Sequence, residues 1–201
     1  MPEVRQISNS DLRQKCLETW QRALPDSSFH DLTEVPGENW IDPNISQLDH
    51  QRAVARMAVA VADAIEEIVP SIKLDRDVLV AGALVHDVGK VFEYDPARTQ
   101  SWKKRPQAAG YPSIRHPIYG VHLGIAAGLP ETVLHIIAAH AKEGALIKRS
   151  LENTLVSVID RLFWELVAKS RTGRTFEELE RTEEAKEILP ISTGKKQKRR
   201  K

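Results

Sequence analysis

Apolar residues recur at three- and four-residue steps along most of the chain, which is the spacing of amphipathic α-helices. The clearest stripe lies between Ser46 and Pro70. It consists of Leu48, Val54, Met57, Val61, Ile65 and Ile68. A second helix is predicted from Asp75 to about Val88, with Gly89 placed where a helix would stop. No segment shows the alternation expected of a β-strand, so the pattern predicts an all-α fold.

Further helices are predicted over 11–23, 117–127, 130–142, 151–169 and 175–188. Pro117 and Pro130 each stand at the start of a helix, where proline is favoured. The helix over 151–169 is the most apolar of the set. Its stripe contains Leu155, Val156, Ile159, Leu162, Phe163, Leu166 and Val167. The proline-rich segments 25–45 and 93–115 break the pattern and are predicted as loops.

The predicted elements form one domain with four parts. Residues 1–45 form a helix and loop that pack on the core, 46–170 the helical core, 171–190 a C-terminal helix and 191–201 a basic, disordered tail. A chain of 201 residues that is 41% hydrophobic fits a single buried core. The sequence lacks the run of about 18 apolar residues that a membrane span needs. The single cysteine, Cys16, excludes a disulfide framework and leads us to expect a reducing, cytoplasmic location.

Charge is unevenly distributed along the sequence. Six of the last seven residues are basic although the whole chain has a formal net charge of +1, so residues 1–194 carry −5. The folded part is therefore not a general polyanion binder, and we expect nucleic acid to bind only weakly, through the tail. The sequence leaves the oligomeric state open, a dimer included.

Imidazoles and carboxylates stand on or at the ends of apolar helical stripes, where polar groups are costly. These residues are His50, His86, Asp87, His116, His140 and Asp160. If Asp87 and Asp160 are buried and ionised, each carries a desolvation penalty of roughly several kcal/mol. No arginine or lysine lies on the inward stripes of the first four helices to neutralise them. A divalent metal resolves that cost, and histidine with aspartate suits iron, manganese, zinc or nickel.

The order of these residues, with the string His86-Asp87-Val88-Gly89-Lys90 at its centre, resembles the HD-domain superfamily of metal-dependent phosphohydrolases. The resemblance covers about residues 47–169. It implies a bundle of about five core helices, with the additional N- and C-terminal helices outside it. In that bundle one divalent metal ion is held by His50, His86, Asp87 and Asp160.

His116 and His140 extend the resemblance to the binuclear branch of the superfamily, in which the aspartate of the pair bridges two metals. The resemblance thus implies a second ion held by Asp87, His116 and His140. The cyclic-dinucleotide phosphodiesterase group has a second histidine after the one that matches His140, and this chain has Ala141 there. That departure argues against this group. We expect one or two ions per chain, iron or manganese first, with zinc, nickel or cobalt as alternatives.

The resemblance further implies a hydrolase that cleaves a small phosphate ester or nucleotide with a metal-activated water. Asp87 and Lys90 are the predicted catalytic residues, and Lys90 is also interpreted as a phosphate contact. The segment 93–115 is predicted as a substrate lid because its bases can grip anionic oxygens while its aromatic residues stack on a ring. The predicted contacts to this small anionic substrate are Lys90, Arg98, Lys104, Arg115 and His122.

Two other function classes stay open at this point. A branch of the superfamily uses the same ligand order in a mixed-valence diiron oxygenase that cleaves C–C or C–P bonds of small anionic substrates. A degenerate HD domain can also act as a non-catalytic sensor or adaptor. The presence of every expected ligand weighs against the sensor, whereas the ligand set does not separate hydrolase from oxygenase.

Overall fold

The computed structural model describes residues 1–38 and 40–182. Within these ranges the regular secondary structure is helical, apart from an isolated bridge between Pro36 and Ser46. The α-helices are α1 (Ser10–Ala23), α2 (Gln47–Ile68), α3 (Arg76–Val85), α4 (Lys90–Glu93), α5 (Pro96–Lys104), α6 (Pro106–Ala109), α7 (His116–Ala126), α8 (Glu131–Ala139), α9 (Leu151–Thr172) and α10 (Phe176–Glu180). Short 3-10 helices cover Pro2–Gln6, Leu24–Asp26 and Lys142–Leu146. The predicted all-α fold is confirmed.

Helix α3 forms the centre of the molecule. Every residue from Val78 to Val85 is buried, and α3 contacts α1, α2, α8 and α9. The side chain of Asp75 caps its N-terminus by accepting a hydrogen bond from the Val78 amide. Because α3 is apolar on all sides, it can be covered by a ring of helices. The polar residues that follow it directly, His86 and Asp87, are carried into the interior.

Helix α2 begins with a capping box between Ser46 and Asp49, and it ends before Pro70 as predicted. Its predicted buried stripe is wrong. Among those six residues Val54 alone is fully buried, whereas Val61 and Ile65 are half-exposed and Ile68 is 78% exposed. The buried face instead consists of Gln47, His50, Gln51, Val54, Ala55, Ala58 and Ala62. Small alanine side chains let α2 approach α3 closely, and the larger apolar side chains are left at the edge of the contact.

Helix α9 departs from its predicted stripe in the same way. Val156 and Ile159 are buried, but Leu162 and Leu166 are 40% and 57% exposed. The inward positions of the second half of the helix are taken by Trp164 and Ala168. The apolar residues of α9 are therefore spread over a wider arc than the core covers.

Several helices end earlier than predicted. Helix α3 ends at Val85, so that His86 and Asp87 lie in a turn, and α8 ends at Ala139. The predicted lid contains α5 and α6 rather than a continuous loop. Of the predicted helix over 175–188 the structure describes residues 175–182, of which α10 is helical. The rest of it and the predicted tail over 191–201 lie outside the described residues.

Gly89 has a different role from the helix-ending one predicted. Its φ of −69° and ψ of −12° are ordinary right-handed values, so no left-handed cap is formed. A Cβ at this position would lie 2.0 Å from the carbonyl oxygen of His116 and 2.8 Å from the amide nitrogen of Gly120. Glycine is needed here because the start of α7 packs directly on the backbone.

The N-terminal segment packs on the helical core. The indole Nε1 of Trp20 donates to the carbonyl oxygen of Leu84 at 2.9 Å, and Ile7 and Val35 are fully buried in the same apolar cluster as α3. Burial raises the pKa of the Cys16 thiol to about 12. None of the described helices combines the length and apolar character required to cross a membrane.

Candidate metal centre

The structure brings all six predicted metal ligands together in the interior. They form two groups that share Asp87, and in each group the possible ligand atoms lie within 4.8 Å of one another. The first group is His50, His86, Asp87 and Asp160, and the second is Asp87, His116 and His140. All are buried except Asp160, whose side chain is 20% exposed.

The six side chains come from five parts of the bundle. Helix α2 supplies His50, the turn after α3 supplies His86 and Asp87, and α9 supplies Asp160. His116 is the first residue of α7, and His140 directly follows α8. The groups exist because α3 delivers the His-Asp pair to the point where these helices meet.

The two carboxylate oxygens of Asp87 face different groups. Its Oδ2 lies 3.3 Å from Nε2 of His50 and 3.3 Å from Nε2 of His86. Its Oδ1 lies 3.2 Å from Nε2 of His116 and 3.3 Å from Nε2 of His140. One carboxylate is thus positioned to offer one oxygen to each of two ions.

The donor atoms fit a divalent transition metal. Among the described residues, Nε2 of His50 and Nε2 of His86 are buried without a hydrogen-bond partner, although Oδ1 of Asp160 lies 3.1 Å from the former. The Nδ1 atoms of His86 and His140 face backbone carbonyl oxygens, at 2.9 Å from Ala83 and 3.0 Å from Ile137. A carbonyl partner holds a proton on Nδ1, so Nε2 is the nitrogen of each ring that can bind a metal ion.

Charge inside the centre holds the carboxylates ionised. Burial alone raises the pKa of Asp87, but Lys90 and His86 hold it well below its usual range. Burial likewise raises the pKa of Asp160, and the neighbouring His50 and His86 lower it further than burial raises it. Burial lowers the pKa of His86, yet the charge of Asp87 and the proximity of Asp160 raise it to about 10. In His140 burial prevails and lowers the pKa.

Metal uptake by the metal-free protein is expected to strengthen as pH rises. His86 must lose its proton to bind an ion, so the association constant should rise by up to about tenfold per pH unit between pH 6 and 8. Because the folded pKa lies above 6.5, protonated His86 stabilises the metal-free fold below pH 6.5, and this contribution is lost towards pH 10. The difference in Tm between loaded and metal-free protein should therefore widen with pH.

Calorimetric titration with Zn²⁺ in two buffers of different ionisation enthalpy measures the proton release directly. The control is a competing chelator of known pH dependence, which corrects the free Zn²⁺ concentration. An affinity that does not change over this range, without proton release, would contradict the protonation of His86.

Lys90 supplies a positive charge that the sequence analysis did not place beside the carboxylates. Its Nζ lies 2.9 Å from Oδ2 of Asp87 and 2.8 Å from Oε1 of Glu38, and the side chain is buried. The expectation that no cation neutralises these carboxylates is therefore wrong for Asp87. Glu38 also accepts hydrogen bonds from Tyr94 Oη, at 3.0 Å, and from Trp40 Nε1, at 2.7 Å.

Glu93 is a second carboxylate that sequence reasoning missed. It is buried and accepts hydrogen bonds from Nδ1 of His116 at 2.9 Å, from the His116 amide and from the guanidinium of Arg115. Burial alone raises the pKa of Glu93, but His116 and Arg115 lower it to about 2. No pattern in the sequence pointed to Glu93, because the chain turns between α3 and α4 and no continuous helix relates this residue to His86. None pointed to Glu38 either.

Gln47 and Trp164 complete the surroundings of the first group. The Gln47 amide nitrogen donates to Oδ2 of Asp87 at 3.0 Å. The Trp164 ring stacks on the His50 ring with centroids 4.9 Å apart. These contacts fix the orientation of two predicted ligands, and Trp164 also lines the cavity that opens over the centre.

This cavity has a volume of about 740 Å³, and Asp87, His116, His140 and Asp160 form part of its wall. Lys90 and Arg115, two of the predicted substrate contacts, line the cavity together with cations that were not predicted. These are Lys142, Arg149 and Arg161. A small charged molecule entering the cavity would reach both ligand groups.

Three of the predicted substrate contacts do not reach this cavity. Arg98 donates to the Asp26 carbonyl at 2.8 Å and covers the ring of Phe92, on another face of the molecule. Lys104 is exposed at the end of α5, and His122 is exposed on α7. The segment 93–115 touches the site only at its two ends because α5 packs back towards the N-terminal segment, where Asp95 accepts from Ser28.

Comparison with protein-family models gives a match to the model described as HD domain over residues 47–164. The match spans more than half of the chain and contains all six residues of the two groups, whereas Glu38 lies outside it. Comparison with the curated proteins and with the solved structures gives no match.

Proposed function

The chain belongs to the HD-domain family, and we propose that it is a hydrolase that uses two divalent metal ions to cleave a small phosphate ester or nucleotide. The main support for the proposal is that the two carboxylate oxygens of Asp87 face different histidine groups. Divalent ions, when bound, supply Lewis acidity that makes water a better nucleophile near neutral pH and neutralises charge on phosphoryl oxygens. We favour iron or manganese as the metal, because the donors are histidine and aspartate.

The protein's own residues have separate tasks in this proposal. His50, His86 and Asp160 hold one ion, His116 and His140 hold the other, and Asp87 joins them. The rings of His86, His116 and His140 are held by hydrogen bonds at Nδ1, so little rearrangement of these three ligands is needed when the ions bind.

Lys90 is proposed as the contact to a phosphoryl oxygen. Its Nζ is fixed between Glu38 and Asp87 at the cavity wall, and an ammonium group has three donor positions. Arg161 also lines the cavity, and it forms no ion pair with the residues that the structure describes. We propose that Arg161 meets a second anionic group of the substrate, because the other cations of the wall already contact carboxylates or carbonyl oxygens.

The test is phosphate release by anaerobically purified protein reconstituted with Mn²⁺ or Fe²⁺. The substrates are p-nitrophenyl phosphate and a panel of nucleoside monophosphates, with the metal-free protein as the blank. Metal-dependent release that falls at least about tenfold in Lys90→Met supports the proposal. Lys73→Met, an exposed lysine remote from the cavity, is the matched control and should leave the rate unchanged.

The alternative functions predict other results in the same preparation. An oxygenase would release no phosphate from any ester and would consume O₂ when loaded with iron and given a small phosphonate or carboxylate. A sensor would bind the ions and turn over neither kind of substrate. Either result would overturn the hydrolase proposal.

A further inference from the structure

The side chain of Glu93 receives three hydrogen bonds at the buried end of α4. One carboxylate oxygen accepts from both Nδ1 and the amide of His116, and the other accepts from the guanidinium of Arg115. The carboxylate is 3% exposed, so water does not compete for these bonds. None of these contacts reaches the first ligand group.

We propose that Glu93 is a positioning residue for the second metal ion and acts by fixing the tautomer and orientation of His116. This inference rests on the two-metal centre of the proposed function. A neutral imidazole carries one N–H, and a carboxylate accepting from Nδ1 places it there. The Nε2 lone pair of His116 is then directed at the space it shares with Asp87 Oδ1, at 3.2 Å, and His140 Nε2, at 3.3 Å.

His116 differs in this respect from the other histidines of the centre. His86 and His140 face backbone carbonyl oxygens through Nδ1, and a carbonyl is a neutral acceptor that no substitution removes. His116 alone, among the ligands that the structure describes, has a side-chain carboxylate behind it. The second ion should therefore depend on a single replaceable side chain in a way that the first does not.

Arg115 and Glu143 extend this arrangement to the other histidine of the second group. Arg115 directly precedes His116 and also donates through Nε to Glu143 at 2.8 Å. Glu143 lies three residues after His140, in the 3-10 helix that follows α8. The arginine thus ties together the two segments that carry His116 and His140. We assign Arg115 to this role rather than to first contact with the substrate.

The test compares two substitutions of Glu93 by their metal content. In Glu93→Met the His116 Nδ1 loses its acceptor, and we expect one ion per chain where the parent binds two. In Glu93→Gln the amide oxygen can still accept from Nδ1 but cannot pair with Arg115. We therefore expect two ions, the second bound about 10- to 100-fold more weakly. Elemental analysis after dialysis gives the number of ions, and calorimetric titration with Mn²⁺ gives both affinities.

The first ion is the internal control for folding, since a general loss of structure would weaken both. Thermal unfolding of the metal-free variants by circular dichroism provides a second control. Two ions bound by Glu93→Met with the parent affinities would overturn the inference, and so would equal weakening of both ions. If Glu93→Gln bound the second ion with the parent affinity, Glu93 would act through the tautomer of His116 alone, and the role assigned to Arg115 would be wrong.

Failure of this inference is distinguishable from failure of the proposed function. If the parent and His116→Ala each bound one metal ion per chain, there would be no second metal site, and this inference would be wrong. A parent that binds two ions and releases no phosphate overturns the hydrolase proposal but leaves the assignment of Glu93 standing.

Discussion

Replacement of Asp87 by alanine is expected to remove both metal ions and to lower the rate of turnover by at least about 10³-fold. The reason is that this one side chain faces both ligand groups. Its Oδ2 lies near His50 and His86, and its Oδ1 lies near His116 and His140. Elemental analysis of the dialysed protein measures the metal content, and phosphate release measures turnover.

The matched variant is His140→Ala, which touches the second group alone and should keep one ion. Asp87→Asn retains the shape and one acceptor oxygen, so it should bind ions weakly rather than not at all. If Asp87→Ala kept one ion at the parent's affinity, Asp87 would belong to a single group, and the two-metal centre would be wrong. A variant without ions that still turned over substrate would contradict the metal-dependent reaction itself.

Replacement of Gly89 by alanine is expected to have the largest effect on stability. The added Cβ would meet the backbone of His116 at 2.0 Å and that of Gly120 at 2.8 Å, and backbone atoms cannot rotate away as a flexible side chain does. Helix α7 must then move off the turn that carries the His-Asp pair. We expect a loss of about 3 kcal/mol or more in the free energy of unfolding. The second ion should also bind more weakly, because His116 moves with α7.

Urea unfolding of the metal-free protein measures the first effect, and Mn²⁺ titration measures the second. Gly173→Ala is the matched control: its φ is +71°, but no atom lies within 4 Å of the added Cβ. That variant should lose only about 1 kcal/mol from backbone strain, with both ions retained. An equal urea midpoint for Gly89→Ala and the parent would show that the approach of α7 is not tight.

The all-α fold could be predicted because helical spacing is a local pattern, and the grouping of the six ligands because their order along the chain resembles the HD-domain superfamily. Helical spacing identified the main elements, although it extended α3 through His86 and Asp87, which lie in a turn. The buried face of α2 could not be predicted from the size of its apolar residues. Packing against α3 selected Ala55, Ala58 and Ala62 for close approach, and a pattern that weighs large side chains assigns that face incorrectly.

The residues that support the ligands were beyond sequence reasoning because their partners are distant in the chain. Glu38 meets Lys90 across 52 positions, and Glu93 meets His116 across 23. Arg98, Lys104 and His122 were chosen for charge and proximity in sequence to the ligands. Such criteria cannot tell that α5 folds back towards the N-terminal segment.

The place of Glu38 affects how this centre could be transplanted. A graft of residues 47–164 into another helical bundle would carry all six ligands and Lys90. It would leave behind the carboxylate at 2.8 Å from Nζ of that lysine, and with it the Trp40 contact that holds the carboxylate in place. Two chains with identical HD cores could thus differ in reactivity through a loop that precedes the core. Engineering this centre should treat residues 35–46 as part of the unit that is moved.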